Sequence, residues 1–124
     1  MKSQVSTEEA PKAPALLSQA VISHGFVFVS GQIHTRADNT LVGETTAEKV
    51  EQIMTNITAI LKAADAKLDD VVKVTIYVTD MSVMSELNKV YPSYFAEPFP
   101  AREAVCVQAL PLGASIEISV VASI

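Results

Sequence analysis

Apolar residues recur along this chain with two different periods, and the change of period divides it into elements. Residues 26–30, FVFVS, are β-branched and aromatic and read as a buried strand, with residues 17–22, LSQAVI, as a short strand before it and His24-Gly25 as the turn between. From Glu44 the spacing becomes helical. Ala47, Val50, Ile53, Met54, Ile57, Ile60, Leu61 and Ala64 fall on one stripe, and Thr45 with Glu48 three residues on forms a capping-box pattern, so a helix is predicted over about 46–65. Residues 71–79, VVKVTIYVT, alternate again. Val72, Val74, Ile76 and Val78 are assigned to one face and Lys73, Thr75, Tyr77 and Thr79 to the other.

A second helix is predicted after Asp80 or Ser82, with Met84, Leu87, Val90, Tyr91, Tyr94 and Phe95 as its apolar face. Pro92 removes the bond to the Asn88 carbonyl and predicts a kink or an early end. Residues 103–109 and 115–122 complete the set as strands, while residues 1–15, with Pro11 and Pro14, read as a loose lead-in. The order is β, β, α, β, α, β, β. Strand–helix–strand units favour parallel strands, so 26–30, 71–79 and 103–109 are expected to be parallel, with the last strand antiparallel and both helices on one sheet face. The other face would carry Thr75, Tyr77, Cys106, Gln108, Ser119 and Val121. That mixture is too apolar for solvent and too polar for a core, which points to burial against other subunits.

Size and charge narrow the functions. At 124 residues with 49% hydrophobic composition, the chain is expected to form a single domain, 1–124. Nine basic and fourteen acidic residues leave a net charge of −5, which disfavours nucleic-acid partners. One cysteine, Cys106, permits no intrachain disulfide. No apolar run is long enough for a membrane span, and the N-terminal residues lack the pattern of a secretory or mitochondrial leader, so the expected compartment is the cytoplasm.

Candidate chemistry centres on few residues. The chain has only two arginines, Arg36 and Arg102. Arg102 follows Phe99-Pro100-Ala101 at the start of a strand, where its fork of donors would be held to grip a carboxylate, although spacing alone favours an ordinary surface or intersubunit ion pair. Glu117 interrupts the run Ile116, Ile118, Val120 and so faces away from it, either as a solvated strand residue or as a half-buried carboxylate that handles a proton or water. If 103–109 and 115–121 formed a direct hairpin, Val107 would oppose Glu117 and Arg102 would lie roughly 17 Å away at about 3.3 Å per residue. A shared site would then need an intervening strand or a second subunit. Ser30-Gly31 offers a hydroxyl and a bare backbone at a strand end, or is simply an ordinary bulge or turn. Cys106 reads as a buried, inert thiol, His24 and His34 as structural, and no metal-ligand spacing, P-loop or dinucleotide fingerprint is present.

The segments SGQI (30–33), VVKVTIYVTD (71–80), LNKVYPSYF (87–95) and above all PAREAVCVQALPLGASIEI (100–118) resemble the Rid, or YjgF, family of reactive intermediate deaminases, over about residues 17–122. The resemblance implies a chorismate-mutase-like α+β fold, a mixed sheet with two helices on one face and the last strand inserted between the first two parallel strands. It also implies a homotrimer with clefts between subunits. The implied reaction is hydrolysis of 2-imino acids, such as 2-iminopropanoate and 2-iminobutanoate, and of their enamine tautomers, to 2-keto acids and ammonia, with no metal or cofactor. On this resemblance Arg102 grips the substrate carboxylate, Glu117 positions the attacking water, and Leu17, Ser30, Gly31, Asn88 and Ala104 line the pocket. Three positions depart from the family pattern: Leu17 stands where a tyrosine is common, Glu103-Ala104 where a small residue and a cysteine are, and Pro92 lies inside the second helix. Leu17 shifts the expected preference toward apolar side chains. The alternatives are a non-catalytic trimeric module binding small carboxylates and, against the acidic charge, an endoribonuclease.

Overall fold

The computed structural model describes residues 1–124. Its first helix, α1 (Thr46–Ala63), starts as the capping box requires. Thr45 Oγ1 accepts from the Glu48 N–H at 3.1 Å, and Glu48 Oε1 accepts from the N–H groups of Thr45 and Glu44 at 3.1 and 2.9 Å. Val50, Ile53, Met54, Ile57, Ile60 and Leu61 are all buried, so the stripe read from the sequence is the core face, and each such side chain contributes about 1.5–3 kcal/mol. Asn56 is buried among them. Its Nδ2 donates to the Thr35 carbonyl at 2.8 Å, which ties the helix to the loop that follows the third strand.

The strands are β1 (Ser3–Val5), β2 (Ala20–Ser23), β3 (Phe26–Ile33), β4 (Val71–Val78), β5 (Ala101–Cys106) and β6 (Ile116–Ser123). They form one sheet in the order β1-β2-β3-β6-β4-β5. β6 is antiparallel to both β3 and β4, and β4 is parallel to β5, so β3, β4 and β5 run the same way, as expected. The direct hairpin between the last two strands is not formed. β6 instead pairs with β3 and β4: its inward residues Ile118, Val120 and Ala122 meet a strand on both sides, and Ile116 pairs with Val78 of β4. The mixed sheet with two helices is the α+β architecture that the resemblance implied.

The second helix, α2 (Met84–Val90), ends two residues before Pro92, and a 3₁₀ turn over Tyr91–Tyr94 continues it. In that turn the missing proline N–H leaves no bond unmade. Leu87 and Tyr91 join the same buried cluster as α1 and the inward faces of β3, β4 and β6.

Three local readings change. Residues 1–15 are not loose: β1 pairs with β2, Val5 and Ala10 are buried, and Gln19 holds the segment with its amide nitrogen 2.9–3.1 Å from the carbonyls of Thr7, Ala10 and Pro11. Val72 does not share the face of Val74, because a bulge between Val71 and Lys73 turns Val71 into the core and Val72 outward. Cys106 is neither buried nor on the open sheet face: it is exposed at the end of the edge strand β5. It is in register with Val78, so Arg102, Ala104 and Cys106 share the helix side, and Val105 with Glu103 takes the open side. Phe26 and Phe28, each more than 40% exposed with ring centroids 6.3 Å apart, add to that open face. No helix is long and apolar enough to cross a membrane.

Candidate functional site

The edge strand and the second helix together place Arg102. Strand alternation turns it toward α2, where its Nη1 donates to Asn88 Oδ1 at 2.9 Å and its guanidinium carbon lies 4.8 Å from the centre of the Tyr91 ring. Glu103 points the other way and pairs with Lys73 at 2.9 Å. No carboxylate of this chain is paired with Arg102, which is exposed, so the rest of its fork is free to take a ligand. The sequence named Arg102, Asn88 and Ala104, and the structure brings Arg102 and Asn88 into contact. Tyr91 was assigned only to the apolar face of the second helix and not to the site, although the i, i+3 spacing from Asn88 puts both on one side of a helix. The Tyr91 hydroxyl is buried with no partner in the chain. Its burial raises the phenol above its ordinary range, with the charge of Arg102 working in the opposite direction.

Glu117 belongs to a different place. It lies on β6 between Ile33 and Tyr77, on the open face of the sheet. Its carboxylate rests on the bare backbone of Gly31: a Cβ there would come within 2.2 Å of Oε2. Burial pushes the Glu117 carboxyl above its usual value. Ser30 anchors the adjacent backbone by donating its hydroxyl to the Ser18 carbonyl at 2.7 Å. Leu17, Ser30, Gly31 and Glu117 line one cleft of about 220 Å³. Lys12, Gln19, Gln32 and Leu112 line it too and were not named from the sequence. Lys12 and Leu112 reach it through loops whose paths no periodicity encodes. The Lys12 ammonium is paired with Glu8.

The two places cannot be one site in one chain. Glu117 is in register with Tyr77, and Tyr77 with Val105, so Arg102 lies two strands across and three residues along. Those offsets are each about 10 Å, and the side chains leave opposite faces of the sheet. The insertion of β6 therefore does not bring the pair together, and of the two solutions foreseen for a shared site only a second subunit remains.

The histidines take no part. His24 is exposed in its turn, with Nδ1 3.0 Å from the Ser23 hydroxyl. His34 is buried with Nδ1 2.8 Å from the Val42 carbonyl, and its Nε2 accepts from the Ser115 N–H at 3.1 Å, which fixes the neutral ring with its proton on Nδ1. No three His, Cys, Asp or Glu side chains gather as metal ligands.

The family model described as Endoribonuclease L-PSP matches residues 7–124. Protein HMF1 of Saccharomyces cerevisiae is 43% identical over 119 residues, covering 96% of this chain and 92% of its own. The 2-iminobutanoate/2-iminopropanoate deaminase of Bos taurus is 42% identical over 119 residues, covering 95% and 87%. The crystal structure of yeast Mmf1 superimposes with a TM-score of 0.95 at 41% identity, covering 99% of this chain and 98% of that one. The curated yeast relative of that name is mitochondrial.

Proposed function

This chain belongs to the Endoribonuclease L-PSP family, the YjgF or Rid family, and from that premise we propose that it hydrolyses small 2-imino acids and their enamine tautomers to 2-keto acids and ammonia. The reaction adds water across the C=N bond and releases the nitrogen: R–C(=NH)–COO⁻ + H₂O → R–CO–COO⁻ + NH₃. The carbon must be made electrophilic by a protonated imine nitrogen, water must be brought to it, and the carboxylate must be held so that the geometry persists. Arg102 supplies the anchor, with Asn88 fixing one arm of its fork. Glu117, desolvated and above its ordinary pKa, holds the water and exchanges its proton. Ser30 and Gly31 form the cleft wall beside it.

A homotrimer is part of the proposal. Arg102 of one copy meets Glu117 of the next, and the open sheet face with Phe26, Phe28 and Val105 packs against neighbouring copies. The observation that carries the reading is the seat of the Glu117 carboxylate on Gly31 inside the cleft. The test is a coupled assay with a serine or threonine dehydratase. Addition of the protein speeds keto-acid release if the reading is right, and leaves it unchanged if the protein is a non-catalytic binder of small carboxylates. That second reading is favoured by Leu17, which brings no hydroxyl to the cleft. The −5 charge supports neither RNA binding nor an endoribonuclease. The cytoplasm is the proposed compartment, since a lone cysteine suits reducing surroundings; imaging of a fluorescent fusion checks it against the mitochondrial relative.

A further inference from the structure

The loop before β6 carries an apolar residue that neither the core of its own chain nor backbone preference accounts for. Leu112 has φ 57° and ψ 19°, in the left-handed region, which a Cβ disfavours and where glycine or asparagine sits more easily. Its side chain is 64% exposed, so the core does not hold it there. It lines the cleft that contains Glu117, as does Leu17, itself 49% exposed. Pro11, Ile33 and Pro111 add to the same apolar wall. Glu117, Ser30 and Gly31 leave the polar end of the cleft to the reacting carbon. The apolar wall is what remains for the substituent on that carbon.

We propose that Leu112, together with Leu17, sets substrate side-chain selectivity by forming an apolar mouth that favours 2-imino acids with aliphatic chains of about four carbons over those with one or two. The proposal rests on the deaminase reading for its substrate but not for the selectivity itself. Each methylene taken out of water is worth about fourfold in kcat/KM. The leucine-derived imine has three more carbons than the alanine-derived one. A cleft that is open on one side removes only part of that surface from water, so the expected preference is roughly tenfold.

The test generates both imines in situ from L-alanine and L-leucine with an amino-acid oxidase and follows their hydrolysis in competition with semicarbazide. The wild-type protein should favour the leucine-derived imine by about tenfold. Leu112→Gly should abolish most of that preference by slowing the leucine-derived imine alone, and it should fold at least as well, because glycine accepts the left-handed backbone. Leu112→Met should keep the preference. Equal effects of Leu112→Gly on both imines, or none on either, would overturn the proposal. Calorimetric titration with pyruvate and 4-methyl-2-oxopentanoate separates the two inferences. Hydrolysis of imines with no chain-length preference and equal affinity for both keto acids defeats the mouth and leaves the deaminase. No hydrolysis, but tighter binding of 4-methyl-2-oxopentanoate that Leu112→Gly removes, defeats the deaminase and leaves the mouth.

Discussion

Arg102 and Glu117 leave opposite faces of one sheet, with β4 between their strands. A small ligand can touch both only if two copies of the chain each contribute one. Arg102→Ala and Glu117→Gln should therefore each be nearly inactive alone, while an equimolar mixture, unfolded and refolded together, should recover about a quarter of wild-type activity in randomly mixed oligomers. Recovery no greater than the sum of the two variants would show that the two side chains do not serve one shared site.

The anchor itself has a size. A hydrogen bond to a charged group is worth roughly 1.5–3 kcal/mol, and Arg102→Ala removes two of them from the substrate carboxylate. At about 1.4 kcal/mol per factor of ten, kcat/KM should fall about a hundredfold or more. Arg102→Lys should recover little, because a point charge cannot reproduce the fork. Full activity in Arg102→Ala, measured in the coupled assay, excludes the anchoring role.

Glu117 should trade stability for activity. Its folded pKa is raised by burial, so the stability it contributes is present below its ordinary value of about 4.5 and is lost as pH rises through the folded pKa. Glu117→Gln escapes that loss. Its melting temperature should exceed the wild type's at neutral pH, with the difference shrinking as pH falls toward 4.5, while its activity is lost. Wild-type activity should rise with pH through the raised pKa. A constant difference in melting temperature from pH 4 to 8 would contradict the desolvated carboxylate.

Gly31→Ala separates function from folding. The new Cβ meets the end of a flexible side chain rather than backbone, with Oε2 of Glu117 2.2 Å from its position. The carboxylate can swing aside at little energetic cost, so thermal stability should be almost unchanged. Activity should drop at least tenfold, because an ångström of misplacement is enough for that. A variant that is unfolded, or as active as the wild type, would show that Gly31 does not seat the carboxylate.

His34 predicts the acid limit of stability. Burial lowers its pKa, and the nearby charge of Lys49 lowers it further, from an ordinary 6.5. The stability it contributes is complete above 6.5 and is lost as pH falls through the folded pKa, when the protonated ring can no longer accept from the Ser115 N–H. An NMR titration should place the His34 midpoint below 6.5, accompanied by a fall in melting temperature. A midpoint at or above 6.5 would overturn this account.

Much of the fold was legible from local pattern. The α1 stripe from Val50 to Leu61, its capping box, the early end of α2 ahead of Pro92 and the inward face of β6 all follow from spacing that neighbouring residues alone enforce. The resemblance supplied the insertion of β6, which no local signal carries, since a strand's partners are chosen by the whole sheet. The bulge that turns Val72 outward went unseen because an alternating pattern holds no record of one extra residue. The buried polar tie from Gln19 to the first residues was hidden behind two prolines that read as a loose segment.

Residue type and spacing were enough to establish the periods, the caps and Arg102, Glu117, Ser30 and Gly31 as residues able to do chemistry. Which of them share a space emerged with the packed chain: Glu117 with Gly31 in a cleft, Arg102 with Asn88 and Tyr91 across the sheet, and Leu112 at the cleft mouth. The reason is physical. A side chain's period fixes the face it leaves from, but contact between distant segments depends on strand order and on loops, and those are set by the burial of the whole apolar surface at once.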